Sequence, residues 1–109
     1  MRILIDENLN WRLGRYLPRH GVSSVSQMGW AGKNGELIAL AASAFDVFIT
    51  MDGSIQYQQD LVRFDVIIIG LVVASNRLAD TAPLMDQVLE ALSSARARAQ
   101  TTISAPVSR

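Results

Sequence analysis

Two short apolar runs in the sequence each end in a carboxylate. Residues 3–5 (Ile-Leu-Ile) precede Asp6, and residues 47–51 (VFITM) precede Asp52. Continuous apolar runs of this length, rich in β-branched residues, predict strands that are covered on both faces. Each carboxylate is therefore predicted to stand where a buried strand ends.

The rest of the pattern alternates predicted helices with predicted strands. Leu9, Leu13 and Leu17 recur at helical spacing, and Asp6 or Asn8 could cap that helix. The later elements are a weak strand at 22–26, a helix at 36–44, a strong strand at 64–73 and a closing helix from Asp80 to about Arg98. Residues 99–109 are predicted to be a disordered tail after one domain at 1–98.

This alternation predicts a three-layer α/β fold with a doubly wound, mostly parallel sheet of about four strands. If the first strand is central, the strand order is 2-1-3-4 and helices cover both faces. The order then reverses between the first and third strands, and ligands bind at the carboxyl edge of such a switch point. Asp6 and Asp52 are therefore predicted to lie side by side at that edge.

Composition narrows the chemistry that this edge could support. The net charge is zero, so binding of nucleic acid would need a local basic patch. The sequence has no cysteine and a single histidine, His20, which excludes thiolate sites and multi-histidine zinc sites within one chain. The longest apolar stretch, 66–74, is too short to span a bilayer and no signal peptide is recognisable, so a cytoplasmic protein is expected.

Carboxylates without histidine or cysteine partners favour Mg²⁺ or Mn²⁺, which prefer oxygen ligands. Glu36, which follows a glycine-containing loop, could join Asp6 and Asp52 around such a cation. Acids that hold divalent cations are the common apparatus of phosphodiester hydrolysis, because the metal activates water and stabilises charge on the phosphate. Asp6, Glu36 and Asp52 are therefore the predicted catalytic and metal-binding residues.

Each of these acids also has an ordinary structural interpretation. Asp6 could be a helix N-cap, and Glu36 would suit the first turn of any helix. Asp52, before Gly53, is typical of a turn. Their predicted convergence on one edge of the sheet favours the functional interpretation.

Polar residues near the same edge could support the metal site or bind substrate. The predicted supporting residues are Glu7, Asn8, Arg12, Thr50 and Arg77. Arg12, Arg15 and Arg19 could follow a phosphate backbone, or they could form a solvated face of the first helix. Trp11, Trp30 and Tyr57 could stack on bases, or they could belong to the core.

Several segments also carry a resemblance to a known family. They are 3–9 (ILIDENL), 28–32 (MGWAG), 34–37 (NGEL) and 45–52 (FDVFITMD), with shorter matches at 57–59 (YQQ) and 75–78 (SNRL). These segments resemble the PIN-like family called DUF5615, whose members are relatives of the PIN-domain nucleases. The resemblance covers roughly 1–92.

The resemblance implies a Mg²⁺- or Mn²⁺-dependent nuclease, in the first place a ribonuclease, of the kind that acts as the toxin of a toxin–antitoxin pair. It implies RNA as substrate and an antitoxin protein as a partner. It places the metal-binding acids at Asp6, Glu36 and Asp52, in agreement with the strand order. A homodimer is a further expectation, because the apolar strand at 64–73 could need more cover than the closing helix provides.

The sequence departs from the family pattern at positions close to these acids. Many relatives carry an acid where this chain has Gly35, and a basic residue with Asn where it has Gly53 and Ser54. Asp60 is a candidate for a fourth acid. These departures leave open a binding or regulatory module that kept the fold and lost turnover.

A receiver-type phosphoacceptor domain is a third class, because receivers also carry acids after their first and third strands. They need a lysine after the last strand to hold the phosphate. The single lysine of this sequence, Lys33, precedes the second predicted helix, and the predicted sheet is one strand short of a receiver's. The receiver interpretation is therefore disfavoured.

Overall fold

A parallel sheet forms the centre of the protein. The computed structural model describes residues 1–31, 37–51, 66–94 and 100–104. The strands of these described ranges are β1 (Arg2–Ile5), β2 (Gly21–Ser24), β3 (Val47–Thr50), β4 (Ile67–Val72) and β5 (Gln100–Ser104). They lie in the order β2-β1-β3-β4-β5, and each neighbouring pair is parallel. The predicted order 2-1-3-4 is confirmed.

The register brings the carboxyl ends of three strands to one edge. Ile5, the last residue of β1, pairs with Ile49 of β3 on one side and with Ser24 of β2 on the other. The hydrogen bonds between β1 and β3 continue one residue beyond β1, because the backbone N–H of Asp6 donates to the carbonyl of Ile49 at 2.9 Å. Asp6 and Thr50 are therefore neighbours at the switch point.

Helices cover both faces of the sheet, which confirms the predicted three-layer α/β architecture. The helical elements of the described residues are a 3-10 helix (Trp11–Tyr16), α1 (Leu37–Ala44), α2 (Leu78–Thr81), a 3-10 turn (Ala82–Leu84) and α3 (Met85–Ser94). None of the helices in the described ranges has the length and apolarity that a membrane crossing requires.

Alternate strand residues divide the described core into two clusters. Ile3 and Ile5 face the side covered by the first 3-10 helix and α3, where they pack with Leu13 and Val88. Leu4 faces the other side and packs with residues of α1. Burying one such side chain stabilises the fold by about 1.5–3 kcal/mol, so β1 is held rigidly from both faces.

The first helix is a 3-10 helix, although the leucine spacing predicted an α-helix. Leu9, Leu13 and Leu17 are buried as that spacing requires. A Cβ added at Gly14 would lie only 3.2 Å from the Cβ of Val22. The glycine therefore lets this short helix lie close against β2.

The cap of this helix also differs from the prediction. Asn10, and neither Asp6 nor Asn8, is the N-cap, and its side chain accepts a hydrogen bond from the backbone N–H of Arg12 at 2.9 Å. Asp6 lies before this cap, inside a turn closed by the N–H of Leu9 donating to the Asp6 carbonyl at 3.0 Å. The carboxylate of Asp6 therefore does not cap this helix.

The end of the chain differs from the prediction as well. Residues 100–104, assigned to a disordered tail by the sequence, form β5 beside β4, with Gln100 opposite Ile68 and Ser104 opposite Val72. Without β5, the edge of β4 would present unpaired backbone N–H and C=O groups, which a further strand can pair. The sheet therefore has five strands, and the expectation that it is one strand short of a receiver's was wrong. The closing helix is divided into α2 and α3 by the turn that contains Pro83, and its predicted end near Arg98 lies outside the described residues.

Candidate functional site

Asp6 is a buried carboxylate at the carboxyl end of β1. Its side chain is 8% exposed. The hydroxyl of Thr50 donates to Oδ2 at 2.5 Å, and the backbone N–H of Glu7 donates to Oδ1 at 2.8 Å. Because each carboxylate oxygen accepts from a different donor, the plane of the group is fixed, and hydrogen bonds to an ionised acceptor are among the stronger ones.

The burial of Asp6 has no explanation in helix capping. Asn10 caps the neighbouring 3-10 helix, and aspartate is among the residue types that are rarely buried. The donors from Thr50 and Glu7 come from two different elements of the sheet edge. They hold the carboxylate at the point where open parallel sheets bind ligands.

Thr50 is the residue through which β3 contributes to this arrangement. It is the last residue of β3 and is fully buried, so its hydroxyl must find a partner inside the protein. That partner is Asp6, which is separated from it by 44 positions in the sequence. The structure therefore brings together two of the site residues that the sequence predicted.

The other two predicted metal ligands lie outside the described residues. Asp52 follows Thr50 by two positions, and Glu36 directly precedes α1. The same holds for the other predicted positions Lys33, Gly35, Gly53, Ser54, Tyr57 and Asp60. Within the described ranges, no three residues among His, Cys, Asp and Glu lie close enough to hold a metal ion.

Asn8 connects two loops of the carboxyl edge. Its backbone carbonyl accepts a hydrogen bond from the side-chain amide of Asn76 at 2.8 Å. Arg77 comes next in the chain, and its side chain is 80% exposed with Nε 3.8 Å from the Asp80 carboxylate. The loop after β4 is therefore tied to the loop after β1, and it presents a guanidinium to solvent. Nothing in the sequence signalled the role of Asn76, because it depends on a contact between residues 68 positions apart.

A cleft of about 210 Å³ opens between the loop after β1 and the end of β2. The side chains that line it include Glu7, Asn10, Trp11 and Arg12. Glu7 is the neighbour of Asp6 and donates to it through its backbone. The cleft therefore begins one residue beyond Asp6 in the chain, and Asp6 itself is not one of its lining residues.

The two tryptophans have different surroundings. Trp30 is half-buried against the α1 side of the core and meets the Phe45 ring edge-on, with centroids 6.0 Å apart. Trp11 is 52% exposed at the cleft, with the guanidinium carbons of Arg12 and Arg15 at 4.9 and 5.9 Å from its ring centroid. The core interpretation therefore holds for Trp30, whereas Trp11 presents its ring to solvent.

The chain matches no protein-family model, no curated protein and no solved structure.

Proposed function

We propose that the protein is a PIN-like nuclease that depends on Mg²⁺ or Mn²⁺, in the first place a ribonuclease, with the metal held by Asp6, Glu36 and Asp52. The observation that carries this proposal is the placement of Asp6. It is a buried carboxylate at the switch point of a parallel sheet, oriented by Thr50 and serving no helix as a cap. The segments that resemble the PIN-like family support the same assignment.

The donor set fits a hard divalent cation. The chain has no cysteine, and the Nδ1 atom of its only histidine, His20, lies 3.2 Å from the terminal amine of Met1. That amine precedes β1, at the opposite edge of the sheet from Asp6. The proposed ligands at the site are therefore oxygen atoms, which Mg²⁺ and Mn²⁺ prefer.

The chain path supports the contribution of the two remaining acids. Helix α1 returns the chain from the end of β2 to the start of β3, since consecutive parallel strands need such a crossover. Its first residue, Leu37, thus lies toward the carboxyl edge, with Glu36 immediately before it. Thr50, the last residue of β3, lies at the same edge, two positions before Asp52 in the sequence.

The proposed chemistry assigns a separate task to each side chain. A bound cation would supply activation of water and stabilisation of charge on the phosphate. Asp6 binds the cation, and Thr50 keeps the Asp6 carboxylate in one orientation. Two exposed side chains, Arg12 of the first 3-10 helix and Arg77 of the loop after β4, bind the phosphates of the substrate. A toxin-like role with an antitoxin protein as partner is part of this proposal, and it is supported by the resemblance.

Thermal unfolding with and without metal tests the site. A cation at a hundred times its dissociation constant adds about 2.7 kcal/mol to the free energy of unfolding, which for a domain of this size raises Tm by roughly 10–20 °C. Asp6→Asn should abolish the shift. Asp46→Asn is the matched control, because Asp46 is exposed and bonds the backbone N–H of Arg2 at the opposite edge. Equal Tm values of the wild type in Mn²⁺ and in chelator would refute the metal site.

Cleavage of RNA in Mn²⁺ tests the activity. The wild type and Asp46→Asn should cleave a single-stranded RNA, and Asp6→Asn should not. A metal-induced Tm shift without cleavage would instead identify a binding module that has lost turnover. Cleavage that survives Asp6→Asn would show that the activity belongs to a contaminant.

A further inference from the structure

The first 3-10 helix carries an exposed, basic and aromatic surface, made of Trp11, Arg12 and Arg15. A 3-10 helix has three residues per turn, so residues separated by three positions lie in one row. Arg12 and Arg15 are such a pair, and both are exposed. They lie about 6 Å apart along the helix axis, with both guanidinium groups near the ring of Trp11.

No acidic residue of the helix itself offsets the positive charge of this surface. The helix Trp11–Tyr16 contains no acidic residue. Among the residues that the structure describes, neither Arg12 nor Arg15 forms a salt bridge. The protein has no net charge, so any attraction for anions comes from local basic surfaces such as this one.

The cleft beside this surface has the size and the walls for one planar ring. Its volume of about 210 Å³ is below the roughly 300 Å³ at which pockets for drug-sized ligands begin. Glu7, Asn10 and Ser26, which have polar side chains, are among the residues that line the cleft. Trp11 and Arg12, both exposed, line it as well.

We propose that this cleft is a nucleotide-binding subsite, in which one unpaired base of a nucleic-acid strand stacks on Trp11 and is held by the cleft. Arg12 and Arg15 bind the phosphates that flank this base. Aromatic rings and guanidinium planes are the groups on which splayed-out bases stack. Two cations in one row match the successive phosphates of a strand, whereas a free mononucleotide would engage only one of them.

The subsite rests on the proposed function for its occupant and deepens it. Glu7 lines the cleft, and its backbone N–H holds the carboxylate of Asp6. A base bound in the cleft therefore brings a neighbouring phosphodiester toward Asp6. A duplex hides the faces of its bases, so the subsite selects single-stranded over double-stranded RNA at the site of cleavage.

Binding of a fluorescein-labelled, single-stranded oligoribonucleotide tests the subsite, measured by anisotropy in chelator with the Asp6→Asn protein so that no hydrolysis occurs. Adding Trp11→Ala should weaken binding by about tenfold, and Trp11→Phe should restore most of it. Tyr16→Ala is the matched control, because Tyr16 is an exposed aromatic residue of the same helix that does not line the cleft. It should bind like the parent protein.

The arginines are tested by the salt dependence of the same binding. Removing one cation that binds a phosphate of a single strand should reduce the slope of log K against log salt by about 0.7. Arg12→Gln and Arg15→Gln should each show this reduction. Arg2→Gln removes the same charge near the amino end of β1, where its guanidinium lies over Phe45, and should leave the slope unchanged.

Direct stacking has its own signal. With Trp30→Phe, Trp11 is the only tryptophan of the chain, and its fluorescence should be quenched as the strand binds. Binding by Trp11→Ala within twofold of the parent protein would overturn the subsite. So would a duplex or a nucleoside monophosphate that binds as tightly as the strand.

These outcomes separate the subsite from the nuclease proposal. Because binding is measured without metal and without turnover, tight Trp11-dependent binding in a protein that never cleaves would reject the nuclease and leave the subsite standing. Metal-dependent cleavage that is indifferent to Trp11→Ala, with no Trp11-dependent binding, would reject the subsite alone.

Discussion

Replacing Thr50 with valine removes a single hydroxyl from the contact between β3 and Asp6. Valine has the shape of threonine, so the fully buried position stays filled. The Asp6 carboxylate, 8% exposed, loses the donor that lies 2.5 Å from its Oδ2. Any change in stability therefore reports the hydrogen bond rather than a cavity.

The expected cost follows from the kind of bond that is removed. Hydrogen bonds to charged groups contribute about 1.5–3 kcal/mol, whereas neutral ones contribute about 0.5–1.5 kcal/mol. Thr50→Val should therefore lower the free energy of unfolding in metal-free buffer by about 2 kcal/mol. For a domain of this size the same change lowers Tm by roughly 8–16 °C.

Urea denaturation of four proteins measures this cost: the wild type, Thr50→Val, Asp6→Asn and the double variant. With a neutral amide at position 6, the cost of Thr50→Val should fall by about 1 kcal/mol, which is the coupling energy of the pair. Thr81→Val is the matched control. Thr81 is equally buried, but its hydroxyl donates to the neutral carbonyl of Arg77 at 3.2 Å.

Two results would refute this reasoning. A cost of Thr50→Val no larger than that of Thr81→Val would show that the Asp6 carboxylate does not rely on this donor. A coupling energy near zero would show that the two side chains act independently. Thr81→Val combined with Asp6→Asn should be additive, because the two residues share no partner.

Two further predictions concern packing and are checked by urea denaturation. Gly14→Ala should lower the free energy of unfolding by about 1 kcal/mol, because its Cβ would lie 3.2 Å from Val22 Cβ. Gly21→Ala should leave the free energy of unfolding nearly unchanged, because its Cβ would meet nothing within 4 Å. Leu4→Ala, at a fully buried position, should lower the free energy of unfolding by about 2–5 kcal/mol. Val72 is 57% exposed, so Val72→Ala should lower it by about 0.5 kcal/mol or less. Equal costs within either pair would contradict the packing described above.

The strand order was predictable because it depends on side-chain burial along the chain. The runs around Leu4, Phe48 and Ile68 are apolar on both faces, and only a sheet with helices on both sides can bury them. The weak, partly polar strand at Gly21–Ser24 then had to lie at an edge, beside β1. This order is enough to bring Asp6 next to the end of β3.

The first helix and its cap were not predictable in the same way. Asp6, Asn8 and Asn10 are all residue types that cap helices, and local preference does not separate them. The close approach of Gly14 to Val22 involves a strand that comes later in the chain. Long-range packing therefore decided where the helix begins and which side chain caps it.

By itself, the sequence determined the α/β class, the strand order 2-1-3-4 and the position of Asp6 at the end of a central strand, because these follow from runs of apolar residues and their spacing. Tertiary structure alone decided that Thr50 holds Asp6, that Asn76 ties two loops together, and that residues 100–104 add a strand to β4. Each of these contacts joins groups that are remote in sequence. Only the folded backbone brings such partners within hydrogen-bonding distance.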